Sequence, residues 1–158
     1  MSHPPRDSGF TLIEVLVTIS LLGAMMAIAV SGGSSWAESR AHRGTAEELQ
    51  VVLRQTSQRA VTESSAMCVR FTSAPSTYSV FRGRCAIATT RVHGPFGSSS
   101  SRVSLVPAFT DTTATGLTEA QFNARGTAWS GAIEVARAGA ASYVVRVESF
   151  SGQVSVGR

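Results

Sequence analysis

The chain has 158 residues and a formal net charge of +4 at pH 7, and only 15% of its residues are charged against a usual share of about 25%. That length holds one compact domain and an accessory segment. Two cysteines without a C-x-x-C, and three scattered histidines, exclude a structural zinc site built from thiols alone.

Every basic residue is Arg, a bias that carries little mechanistic weight. A pI near 10.0 permits weak attraction to anionic lipid or nucleic acid and establishes neither. Residues 1–9, MSHPPRDSG, are polar. Residues 10–30, FTLIEVLVTISLLGAMMAIAV, form an apolar run with a single charge, Glu14. As a helix this run measures roughly 30 Å, the thickness of a hydrocarbon core. Three readings compete for it. A secretory signal peptide finds an A-x-A box at Ala27-Ile28-Ala29, but the run is long for such a peptide and contains an acid. A plain single-pass anchor tolerates Glu14, because a charge near a helix end costs less than about 3 kcal/mol. The third reading is specific. Gly9-Phe10-Thr11-Leu12-Ile13-Glu14, followed by an unbroken apolar helix, resembles the prepilin processing motif of type IV pilins and type II secretion pseudopilins.

That resemblance implies cleavage between Gly9 and Phe10 by a prepilin peptidase and methylation of the new N-terminus. This chain is then the substrate and not an enzyme. It also implies that Glu14 neutralises the N-terminal amine of a neighbouring subunit. The chemistry supports this independently, since an isolated charge in an apolar phase is expensive and must find a partner. Arg6 ahead of the helix agrees weakly with a cytoplasmic N-terminus, but Arg40 and Arg43 follow it, so charge alone does not set the topology.

After Ser31-Gly32-Gly33-Ser34-Ser35, where the glycines are expected to bend or locally melt the helix, amphipathic patterning resumes. Ala46, Leu49, Val52, Leu53, Thr56 and Ala60 fall on one helical face, with Glu47, Glu48, Arg54, Gln58 and Arg59 on the other. From residue 66 the pattern becomes short strands and turns. AMCVRF (66–71) and TYSVFR (77–82) flank a hairpin turn, CAIATTRV (85–92) reads as a third strand, and GPFGSSSS (94–101) as a loop. RVSLVPAF (102–109) reads as a strand with Pro107 at an edge or end, and 110–119 as polar turns. AQFNARG (120–126), AIEVAR (132–137), SYVVRVE (142–148) and QVSVG (153–157) read as an antiparallel meander.

The C-terminal order F-x-x-R-G-T-x-x-x-G-x-I-x-V, carried by Phe122, Gly126, Gly131 and Ile133, continues through Val147, Gly152 and Val154. It resembles the signature of H-type minor pseudopilins, the GspH/FimT family. The expected fold is therefore α+β and pilin-like, a long N-terminal helix packed on an antiparallel β-rich head. Its expected parts are a leader (1–9), a transmembrane segment (10–30), an amphipathic continuation (31–63) and an extracytoplasmic head (64–158). In such a head Cys68 and Cys85 either form a disulfide worth about 3 kcal/mol or stay as two buried thiols.

No nucleophile motif, phosphate loop or carboxylate cluster is present, so no catalytic residue, metal or cofactor is expected. The expected function is a minor pseudopilin at or near the tip of a type II secretion pseudopilus. It would start in the inner membrane with its head outside, and its partners would be other subunits, the peptidase and the assembly platform. The alternative is a minor pilin of a type IV pilus that binds DNA through Arg125, Arg137, Arg146 and Arg158. Against that, Gly152-Gln153-Val154-Ser155 lacks the basic residue expected there, and arginines on strand faces serve more often as solubilising charge.

Overall fold

The structure, a computed structural model, describes residues 10–158 apart from 75, 99 and 112–114, without the side chains of 29–35 and 115. The leader therefore lies outside the described residues. The chain divides into two compact units, one through Ala37 and one from Glu38 to Arg158.

Helix α1 spans Leu12–Thr62, Gly32 and Gly33 included, so the expected melting there does not occur. Thr11 caps its start. The Thr11 hydroxyl accepts the Glu14 amide at 3.3 Å, and Thr11-Leu12-Ile13-Glu14 is the T-x-x-E spacing of a capping box. In the first unit every described side chain from Phe10 to Ile28 is exposed, apolar ones on all sides of the helix. Among the described residues no helix is long and apolar enough to cross a membrane. The described apolar stretch, Leu12 to Ile28, is about 25 Å long at 1.5 Å per residue.

In the second unit α1 turns one face inward. Ala46, Leu49, Leu53 and Ala60 are fully buried, with His42, Thr45 and Thr56 beside them, close to the face read from the sequence. The helix ends as a Schellman turn: Ser65 N–H donates to Ala60 C=O at 3.1 Å and Ser64 N–H to Val61 C=O at 3.1 Å.

The head has two antiparallel sheets. The first contains β1 (Met67–Ser73), β2 (Ser76–Arg82), β3 (Thr90–Gly97) and β6 (Glu119–Phe122) in the order β3-β2-β1-β6. The second contains β4 (Val103–Thr110), β5 (Thr115–Leu117), β7 (Ser130–Arg137), β8 (Tyr143–Val147) and β9 (Val154–Gly157) in the order β5-β4-β7-β8-β9. Alternate residues of each strand meet α1 in a single core: Met67, Val69, Val80, Leu105, Phe109, Phe122, Ile133, Val135, Val145 and Val154 are all buried there. Three donors tie the helix to the last strand, since Gln50 Nε2 and Arg54 Nε and Nη2 all reach the Val154 carbonyl at 2.9–3.2 Å.

Three sequence readings are corrected. Residues 85–88 form a turn, in which Ile87 and Ala88 amides donate to the Arg84 carbonyl, and the strand starts only at Thr90. Gly94–Gly97, expected to be loop, extends that strand because β2 pairs with it as far as Gly97. The C-terminal strands are not one meander. Residues Glu119–Phe122 pair with β1 in the first sheet, and only β7, β8 and β9 run as consecutive neighbours. Pro107 pairs with Ile133 of β7 on one side and lies beyond Phe109 and Thr110, where β5 covers the other side of β4.

Candidate functional site

At the helix start, Phe10 is 82% exposed and Glu14 is exposed, and Gly9 lies outside the described residues. Glu14 occupies the third helical position, where its negative charge meets the positive end of the helix dipole. Sequence reading singled out Glu14 but missed Thr11, whose signal was the same T-x-x-E spacing that makes a capping box.

The richest polar site of the head lies on the outer face of the first sheet. The side chains that alternate away from the core there are Cys68, Arg70, Phe81 and Gln121, and Cys68 opposes both Phe81 and Gln121 in register. Cys68 is bonded to Cys85, and with Ala88, Phe81 and Trp129 the pair forms a small second core. Arg70 holds the turn from below. Its Nε donates to Glu119 at 2.8 Å, its Nη2 to the Cys85 carbonyl at 2.6 Å, and its guanidinium lies 4.8 Å over the Phe81 ring. From the other side the Cys85 amide donates to Gln121 Oε1 at 3.0 Å. Gln121 Nε2 donates to Asn123 Oδ1, and Asn123 Nδ2 to Thr127 Oγ1, both at 3.1 Å.

These bonds fix the walls of a pocket of about 670 Å³ lined by Arg84, Asp111, Gln121, Asn123, Arg125 and Trp129. A second, more apolar groove of about 740 Å³ runs between the α1 positions Val52, Thr56 and Arg59 and the strand residues Val80, His93 and Phe96. Among the described residues, one grouping has metal-ligand spacing: Cys68, Cys85 and Glu119, whose two sulfurs are already bonded to each other.

The four arginines considered for DNA fall in four different settings. Arg125 lines the 670 Å³ pocket. Arg137 has only 16% of its side chain exposed, with Nη1 3.7 Å from Glu38. Arg146 lies on β8 between Ala132 and Ser155. Arg158 lies 5.6 Å over the Tyr143 ring.

Two signature glycines have steric reasons. A Cβ on Gly131 would come within 2.5 Å of the Ala108 carbonyl and of Phe109 Cδ1 across the β4–β7 pair. Gly152 has φ +59°, and a Cβ there would lie 2.7 Å from the Gly126 carbonyl and 2.8 Å from Ser57 Oγ.

Comparison with known proteins agrees with this architecture at both ends. Residues 4–30 match the prokaryotic N-terminal methylation motif. The solved type IV minor pilin FimU of Pseudomonas aeruginosa aligns with a TM-score of 0.58 at 16% identity, over 78% of this chain and 92% of that one. The minor pseudopilin EpsH from the type II secretion system of Vibrio cholerae aligns with a TM-score of 0.55 at 10% identity, over 73% of this chain and 92% of that one. No curated protein matches the chain significantly in sequence. The protein is type IV pilin-like in both respects, in its N-terminal motif and in its fold. Its head shares the fold of these two proteins.

Proposed function

We propose that this chain is a minor pseudopilin, cut between Gly9 and Phe10 and methylated on Phe10, that assembles at or near the tip of a type II secretion pseudopilus. One observation carries the reading. The helix from Phe10 to Ile28 presents apolar side chains on every side and buries none of the described ones within its own chain. Such a helix requires lipid or other helices around it, and a filament core supplies them after the membrane has. Residues 10–30 are the anchor in the inner membrane before assembly, with the head on the outer side, where the Cys68–Cys85 bridge is stable. Glu14 is the counter-charge for a neighbouring subunit's amine, and its place in the capping box holds it one helical turn from the new N-terminus. The prepilin peptidase and the assembly platform are its other partners.

A second reading places the subunit in a type IV pilus. It is favoured by the similarity to FimU, which aligns as well as EpsH does. The DNA-binding variant of that reading draws little support from the four separate settings of Arg125, Arg137, Arg146 and Arg158.

Mass analysis of the protein from its native membrane tests processing. The expected product begins at Phe10 and carries one added methyl, whereas a start near Val30 would favour a cleaved signal peptide. Glu14→Ala should be processed normally yet fail to enter filaments, and normal assembly of that variant would end the counter-charge role. Deleting the gene separates the two filaments, since loss of protein secretion with pili intact supports the first reading and the reverse supports the second.

A further inference from the structure

We propose that the pocket between Arg84 and Arg125 is a docking site for a carboxylate-bearing, apolar-flanked peptide segment of a partner protein. Both arginines are exposed, and among the described residues neither takes part in a side-chain hydrogen bond or ion pair. Arg70, on the same face, is already engaged by Glu119 and the Cys85 carbonyl. Two uncommitted guanidinium groups facing one concavity are suited to a carboxylate, which each can bind in a planar fork.

The site is built before any ligand arrives. Arg84 sits beside Cys85, whose disulfide to Cys68 and backbone bonds to Gln121 and Arg70 hold the 84–88 turn on the sheet. Arg125 sits in the turn after β6, closed by the Gly126 amide on the Asn123 carbonyl at 3.0 Å and by Asn123 on Thr127. The hydrogen bond from Gln121 Nε2 to Asn123 Oδ1 joins the two turns, so the backbone that carries both arginines is fixed before binding.

The surroundings favour a peptide over a nucleic acid. The wall includes Asp111 and the amides of Gln121 and Asn123, a mixed polar lining rather than a cationic one. Arg137 faces Glu38 and Arg158 lies on Tyr143, which leaves Arg91, exposed opposite Phe81, as the further arginine of this face, too few for a phosphate backbone to follow. The lining includes the Trp129 ring. Exposed apolar residues also lie in the neighbouring chain segments: Ile87, 75% exposed, follows the lining residue Ala86, and Phe150, 94% exposed, belongs to the turn whose Gly152 abuts Gly126. An aromatic wall beside charged groups has the composition of a protein-binding hot spot.

The test uses the full chain in detergent and three fluorescent probes. These are a peptide of alternating Asp and Leu, its Asn-and-Leu counterpart, and a short single-stranded oligonucleotide. The acidic peptide should bind at least about tenfold more tightly than the amide counterpart. Arg84→Gln and Arg125→Gln should each weaken it about tenfold with unchanged thermal unfolding, whereas Arg146→Gln, outside the pocket, should not. Equal binding of the two peptides, or equal loss in all three variants, would overturn the proposal. Binding of the oligonucleotide alone, lost with Arg84 and Arg125, would give the pocket to nucleic acid and overturn it as well. These outcomes concern only the head, so they are independent of which filament the subunit joins.

Discussion

Tyr78 and Ser64 both sit in surroundings at odds with their chemistry. Tyr78 is buried at 2% exposure among Phe71 and Phe96, and its hydroxyl has no hydrogen-bond partner among the described residues. Burial, and secondarily the charge of Glu48, raises its pKa above the ordinary 10.0. An unsatisfied buried hydroxyl costs about 1–3 kcal/mol, so Tyr78→Phe should raise the unfolding temperature by roughly 3 °C per kcal/mol recovered. The sign of the pH effect follows from the direction of the shift. Above pH about 10 the unfolded chain releases the phenol proton while the folded one keeps it, so stability falls as pH rises further. Thermal melts from pH 9 to 11 should therefore show a decline in the native protein that Tyr78→Phe reduces. Ser64 closes α1 with φ +47°, a conformation that costs a non-glycine residue about 1 kcal/mol. Ser64→Gly should stabilise the head by up to that amount in denaturant titrations, and a loss of stability would contradict the Schellman assignment.

Among the elements, the 84–88 turn and the β4–β7 pair depend on contacts distant in sequence. By sequence the turn reads as part of a strand, CAIATTRV (85–92). What overrides that reading is the bond from Cys85 to Cys68, together with the hydrogen bond that Cys85 C=O accepts from Arg70 and the one its amide donates to Gln121. A Cys68→Ser/Cys85→Ser protein should lose about 3 kcal/mol of stability, measured by urea unfolding of the full chain in detergent. Between β4 and β7 the Phe109 ring passes over Gly131 in the space a Cβ would need. Gly131→Ala should cost at least about 2 kcal/mol, because the clash is with backbone as well as with the ring. A cost below about 0.5 kcal/mol would mean the two strands adjust more easily than this packing implies.

Across the whole molecule, the two compact units divide the chemistry. The unit through Ala37 supplies a helix whose described side chains from Phe10 to Ile28 are all exposed, and the unit from Glu38 supplies a closed core and a polar outer face. Burial energies near 25 cal/mol per Å² make that exposed helix a strong associating surface. If the proposed function holds, a chain lacking this helix should no longer co-sediment with membranes.

The sequence by itself determined the local features. A T-x-x-E start, an apolar run with one acid and a heptad-like buried face define α1, and alternation defines most strands, because each of these signals lies within a few neighbouring residues. Only the tertiary structure decided which strands share a sheet. The residues Glu119–Phe122 look like the first strand of the C-terminal meander, yet they cross to β1, where Ala120 and Phe122 enter the core and Gln121 meets Cys68. That choice brings Arg84 and Arg125, forty-one positions apart in the chain, to one pocket. No periodicity encodes it, because cross-strand register depends on side chains far away in sequence and on the core both sheets must close together.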